Sequence, residues 1–167
     1  MTLKRQLQKM DACQEAIEWV GDRTLEQAWN DCERGDWMLW FAEKAGVELQ
    51  PLTLAKARCA NLVVHLMKDE RSRNAVEVAE RFGLGKATRE ELDVAAYAAY
   101  AAAAADADAA DAAARAAYAD AAYAAYAAYA TAAYATAAAA DAAVNREETL
   151  KKCADICRET LTDYIIK

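Results

Sequence analysis

The sequence predicts an all-α protein: a single-domain bundle of about seven or eight helices that includes an alanine-rich helical hairpin. Three observations carry that expectation. Of the 49 residues from Ala95 to Ala143, 34 are alanine, the strongest helix former. One proline and five glycines in 167 residues suit neither an all-β domain nor a Pro/Gly-rich disordered tail. Outside the alanine tract, apolar residues recur at intervals of three and four, the period of a helix face.

Taken in order, Leu3, Leu7, Met10, Ile17 and Val20, joined by Cys13 and Ala16, keep that period until Gly21 and Asp22, which predicts one amphipathic helix over 3–20. Thr24 followed by Gln27 is a capping-box start for a second helix bearing Leu25, Ala28, Trp29 and Cys32, stopped by Gly35. Asp36 as a cap predicts a short third helix with Trp37, Trp40 and Phe41, ending at Gly46. Because Trp29, Trp37 and Trp40 share helical faces with Leu25, Cys32 or Phe41, all three are expected in the core. Pro51 and Thr53 open a fourth helix, with Leu54, Cys59, Leu62, Val63 and Leu66 facing inward and Lys56, Arg58 and Lys68 facing out. Ser72 begins a fifth through Val76, Ala79 and Phe82, closed by Gly83 or Gly85.

Thr88 and Glu91 form a second capping box, after which nothing forbids helix as far as Ala143. Run straight, that helix would be about 80 Å long at ~1.5 Å per residue, too long for a compact domain of this size. A turn is therefore expected around Asp106, Asp108 and Asp111, where aspartates compete for backbone groups and cap helix starts, with helix to about Ala105 and a restart near Asp108. At 100° per residue the seven tyrosines of the tract fall within about 160° of arc and alanines fill the other side. That pattern fits a closely packed hairpin over 88–143 whose tyrosine side leans on the Trp/Leu-rich part over 1–86 or on a second copy of the chain. A last helix is expected over 145–164, with Leu150, Cys153, Ala154, Cys157 and Leu161 on one face.

The chain carries 20 basic and 27 acidic residues, a net charge of −7. Nucleic-acid binding needs a basic face, and the composition offers none; an acidic body suits a basic protein partner instead. Five cysteines lack the dense spacing of a secreted disulfide scaffold, and no basic-then-apolar segment opens the chain, so reduced thiols and a cytoplasmic location are expected. Residues 121–140 are uncharged and about as long as a membrane span. They hold only Ala, Tyr and Thr, with no Leu, Ile, Val or Phe to drive insertion, so no membrane association is expected.

Motifs that could carry chemistry resolve into structural ones. Cys153 and Cys157 sit one helical turn apart but lack two further convincing ligands for zinc, and they continue the Leu150/Leu161 stripe, so they read as core thiols. His65, the only histidine, has no nucleophile motif beside it. Residues 83–88, Gly-Leu-Gly-Lys-Ala-Thr, lack the first glycine, the Ser or Thr after lysine and the leading strand of a phosphate loop; they read as a helix stop and start. The carboxylate pairs Glu90/Glu91 and Asp106/Asp108 read as solvated caps, and the tyrosine arc lacks the cationic groove of a base-stacking platform. No enzyme activity, metal or cofactor is expected.

The segment from Asp11 to Trp29, Asp-Ala-Cys-Gln-Glu-Ala-Ile-Glu-Trp-Val-Gly-Asp-Arg-Thr-Leu-Glu-Gln-Ala-Trp, continuing into Asp31-Cys-Glu-Arg-Gly-Asp-Trp-Met-Leu-Trp, resembles the opening of the Imm-5-like immunity protein family of bacteria and their phages. Thr88-Arg-Glu-Glu-Leu, the Ala/Tyr/Asp tract and Cys153-Ala-Asp-Ile-Cys-Arg-Glu-Thr-Leu follow in the same order, so the likeness spans nearly the whole chain. The resemblance implies a small helical intracellular inhibitor of a toxin, and supplies no catalytic residues. The expected function is thus an immunity-type inhibitor that blocks a basic toxin or effector. A phage-encoded inhibitor of a nucleic-acid-processing defence enzyme is the alternative; a third, ice binding, rests on Thr131 and Thr136 in Ala-rich helix. The expected contact surface is Asp106, Asp108 and Asp111, the densest acidic patch of the Ala-rich half, with Tyr118 adding area.

Overall fold

The computed structural model describes residues 2–67, 69–105 and 142–166. The protein is all-α, with no strand among the described residues: α1 (Leu3–Lys9), α2 (Gln14–Val20), α3 (Leu25–Asp31), α4 (Gly35–Lys44), α5 (Leu49–Asn61), a 3-10 turn (Val64–Leu66), α6 (Glu70–Gly83), α7 (Arg89–Ala105) and α8 (Ala142–Ile165). The expected turn at 106–111, the second arm of the hairpin and the residues Asp106, Asp108, Asp111 and Tyr118 lie outside the described residues.

Several helix ends follow from local chemistry. Both capping boxes form: the Thr24 hydroxyl accepts from Gln27 N–H while the Gln27 amide oxygen accepts from Thr24 N–H, and Thr88 and Glu91 repeat the exchange. Helices α4 and α6 stop in the same way. Gly46 and Gly85 take left-handed φ of 79° and 70°, and the next residues, Val47 and Lys86, donate back to Ala42 and Arg81 carbonyls at 3.1 and 2.7 Å.

The expected single helix over 3–20 is two. Asp11 adopts φ 57°, Asp11 N–H donates to Gln8 and Ala12 N–H to Leu7, so a glycine-type helix stop is built on an aspartate. The apolar period continues across the break, because α2 restarts with Ala16, Ile17 and Val20 on the buried side. Other starts shift as well. Arg34, rather than Asp36, precedes α4, and Asp36 instead accepts from Arg34 Nε and Nη2 at 2.9 and 2.7 Å. Helix α5 begins at Leu49 ahead of Pro51, and α6 begins after Asp69, whose carboxylate accepts from Arg71 N–H, rather than at Ser72.

Lys56 faces inward, against expectation. Its side chain is only 5% exposed because Glu43 of the neighbouring helix meets its Nζ at 2.8 Å, which supplies the counter-charge a buried ammonium requires. Leu54 is only half-buried, and its backbone abuts Gly83 at the end of α6.

Helix α5 is central: α4 and α8 pack on one side of it and α6 on the other, with α7 against α6. The largest core cluster joins α1–α5 to α8 through residues such as Leu7, Val20, Trp29, Leu39, Leu52, Cys157 and Leu161. Small residues continue the core outward, through Ala57, Ala79 and Leu92 and then Ala75, Val78 and Ala95. On α8 the expected stripe is buried at Cys153, Ala154, Cys157 and Leu161, with Leu150 half-buried at its edge.

Candidate protein-binding site

A cluster of half-buried aromatic and exposed charged residues lies where α2, the α3–α4 link and α8 meet. Arg158 of α8 holds that link: its Nη1 donates to the carbonyls of Trp29, Asn30 and Cys32, the last at 2.8 Å, and so closes the open C-terminal end of α3 with a cation. Trp29 is anchored alongside, its indole N–H donating to Thr162 Oγ1 at 3.0 Å.

With the link fixed, Arg34 becomes the organising charge. It lies 4.4 Å from the centre of the Trp37 ring, donates to both Asp36 oxygens and reaches Glu15 at 3.3 Å. The Asp36 carboxylate raises the guanidinium further above its ordinary pKa. Trp37 meets Trp19 edge-on, with ring centres 6.0 Å apart and planes at 62°, and Arg23 lies 4.7 Å over Trp19. Trp37 and Trp40 are half-buried and pack against the core, whereas Trp29 is fully enclosed in it, so the expected core position holds in full for Trp29 and in part for the other two.

The Trp19–Trp37 pair separates two concavities. On one side is a pocket of 350 Å³ ringed by Glu15, Asp31, Glu33 and Glu147, with Leu150 at its floor. On the other is a largely apolar cleft of 680 Å³ bounded by α1–α4 and by Lys56 of α5. Around the pocket, Arg23 pairs with Asp31 at 3.6 Å and Lys151 with Glu33 and Glu147 at 3.3 and 3.9 Å. Counting Asp36 and Glu15 on Arg34, five carboxylates share three cations. The four ringing the pocket are mostly solvent-exposed.

Chemistry of other kinds finds less support in the geometry. Among the described residues no group of three or more His, Cys, Asp or Glu side chains is arranged to hold a metal ion. Cys153 and Cys157 are buried, with Cys59 Sγ donating to the Cys153 carbonyl and Cys157 Sγ to that of Gly35. His65 is exposed on the 3-10 turn, and residues 83–88 are the helix stop and start expected of them. Of the predicted tyrosine arc, Tyr97 is exposed and Tyr100 half-buried, with ring centres 6.4 Å apart. No described helix is long and apolar enough to cross a membrane.

The contact surface expected in the Ala-rich half, Asp106, Asp108, Asp111 and Tyr118, lies outside the described residues. The pocket between α2 and α8 collects its carboxylates from α2, the end of α3, the α3–α4 link and α8. A local signal did exist, in the charged run Asp31-Cys-Glu-Arg-Gly-Asp set between two tryptophan-bearing helices. No protein family, curated protein or solved structure was found to match the chain.

Proposed function

We propose that the protein is a non-enzymatic, immunity-type inhibitor that binds a basic toxin or effector domain through the face around Trp19 and Trp37 and occupies space the target needs. The observation that carries this reading is the aromatic pair set among exposed carboxylates drawn from separate elements. A partner's arginine or lysine would meet exposed carboxylates there and, on displacing Arg23 from Trp19, an indole face as well, the combination that recognises cations. The ion pairs around the pocket are mostly exposed, each contributing about 0–1 kcal/mol, so a partner cation can displace Lys151 or Arg23 at little cost. The excess of acid also speeds the approach of a basic partner. The resemblance of residues 11–40 to immunity proteins supports the same reading.

The test is co-expression with the products of neighbouring genes, scored as rescue of growth. One of them should be toxic alone and neutralised by this protein. Glu33→Lys with Glu147→Lys should then slow association and flatten its salt dependence. Failure to neutralise any neighbouring product, or charge reversals that leave the association rate unchanged, would overturn the assignment.

A further inference from the structure

We infer that the apolar cleft beside the Trp19–Trp37 pair receives large apolar side chains from a basic segment of the partner. This rests on the protein-binding reading above and adds the chemistry of what enters. At 680 Å³ the cleft lies within the ~300–1,000 Å³ range of pockets that enclose organic groups. Its lining is largely apolar: Leu25, Trp37 and Trp40 are half-buried there, and behind them stand the packed core residues Leu7, Trp29 and Met38.

Three of the five charged side chains that line it, Asp36, Glu43 and Lys56, are paired within the protein, and the other two, Asp11 and Lys44, are exposed to solvent at its rim. Lys56 Nζ meets Glu43 at 2.8 Å, and Asp36 is held by both Arg34 donors. What fills the interior is therefore apolar. At its edge the cleft shares Trp19 and Trp37 with the pocket ringed by the four exposed carboxylates Glu15, Asp31, Glu33 and Glu147. What continues past those rings must carry positive charge to match. A segment with large apolar side chains flanked by Lys or Arg meets both conditions, while a small neutral molecule would leave the acidic edge unused. Such anchors in an enclosed pocket, bordered by charge, are the usual arrangement of an energetic hot spot.

The experiment uses the full chain and three synthetic helical peptides of equal length: Leu/Lys, Leu/Glu and Ser/Lys. Tryptophan emission and calorimetry follow binding. The Leu/Lys peptide should bind at least about tenfold more tightly than either control. Ala12→Phe, which fills the cleft at a half-buried position, should weaken it by about tenfold, and Glu33→Lys should weaken it too. Glu77→Lys, the same charge change at an exposed site on α6, should leave it unaffected. On the unaltered protein, the peptide should slow alkylation of Cys13, an exposed thiol lining the cleft, at least about fivefold.

Equal binding of the Leu/Lys and Ser/Lys peptides would overturn the inference while leaving the acidic-face reading standing. Absence of Cys13 protection, or Ala12→Phe with undiminished binding, would overturn it as well. So would binding of the neutral probe N-phenylnaphthylamine in the cleft without any Leu/Lys peptide binding, which would point to a small apolar ligand. Neutralisation of a toxin with no dependence on Ala12 would sink the cleft alone; loss of charge dependence would sink the face.

Discussion

Trp29 is 3% exposed and hydrogen-bonded to α8, whereas Trp37, eight residues on, lies half-buried against Trp19 and Arg34 between two concavities. Removing the two side chains should therefore have different effects. Trp29→Ala should destabilise by about 3–5 kcal/mol, the range for a fully packed aromatic. Trp37→Ala should cost well under half as much in a urea titration and lose most partner binding; equal stability losses would return Trp37 to the core. The thiols divide along the same line. Burial pushes the Cys32 pKa up, and the neighbouring Cys59 thiol together with burial raises that of Cys153. For Cys59, a hydrogen bond with Cys153 acts downward but the Cys157 thiol and burial outweigh it. Native protein treated with iodoacetamide near neutral pH should label Cys13 rapidly and the four buried thiols only on unfolding, as mass spectrometry would read directly.

At the level of elements, the crossing of α4 and α8 depends on Gly35. A Cβ built there would lie 2.7 Å from the Ala154 backbone nitrogen and closer still to Cys153 Cβ, so the helices would have to separate. Helix propensity favours alanine over glycine by up to about 1 kcal/mol. Forcing a methyl into backbone contact costs about 1–3 kcal/mol or more, so Gly35→Ala should destabilise the protein, measured as a lower urea midpoint. A neutral or stabilising result would mean that the crossing is looser than described. Much of this element order was legible in the sequence, because capping boxes and left-handed glycines are local signals: Thr24 with Gln27, Thr88 with Glu91, Gly46 and Gly85 all act where the pattern puts them. The break at Asp11 was hidden because no glycine marks it and the apolar period runs through it. Lys56 was misjudged for a non-local reason, since its counter-ion Glu43 comes from another helix. The acidic pocket proposed as the binding face was illegible on the same grounds: Glu147 stands more than a hundred positions from Glu33, and only the fold brings them to one pocket.

For the molecule as a whole, the raised thiol pKa values tie stability to pH. In the folded state Cys59 and Cys153 hold their protons far above the ordinary value of 9.0 and Cys32 is shifted in the same direction, whereas in the unfolded chain all three ionise near that value. Above that pH the unfolded state binds fewer protons than the folded one, so stability is intact below about pH 9 and falls as pH rises, by up to about 1.4 kcal/mol per pH unit for each thiol. Urea midpoints from pH 8 to pH 10.5 should decline, and less steeply in Cys153→Ala; identical slopes would remove the thiols as the cause. The same seam governs how the chain is made. Trp29 waits for Thr162, 133 positions later, and Gly35 for Cys157, 122 positions later. At ~5–20 residues per second a ribosome takes on the order of ten seconds to cover that distance. During that interval the N-terminal helices are already synthesised but lack the strut that closes them, and the alanine tract is translated while their apolar seam is still open. Packing of the N-terminal helices is therefore completed only once α8 has been translated.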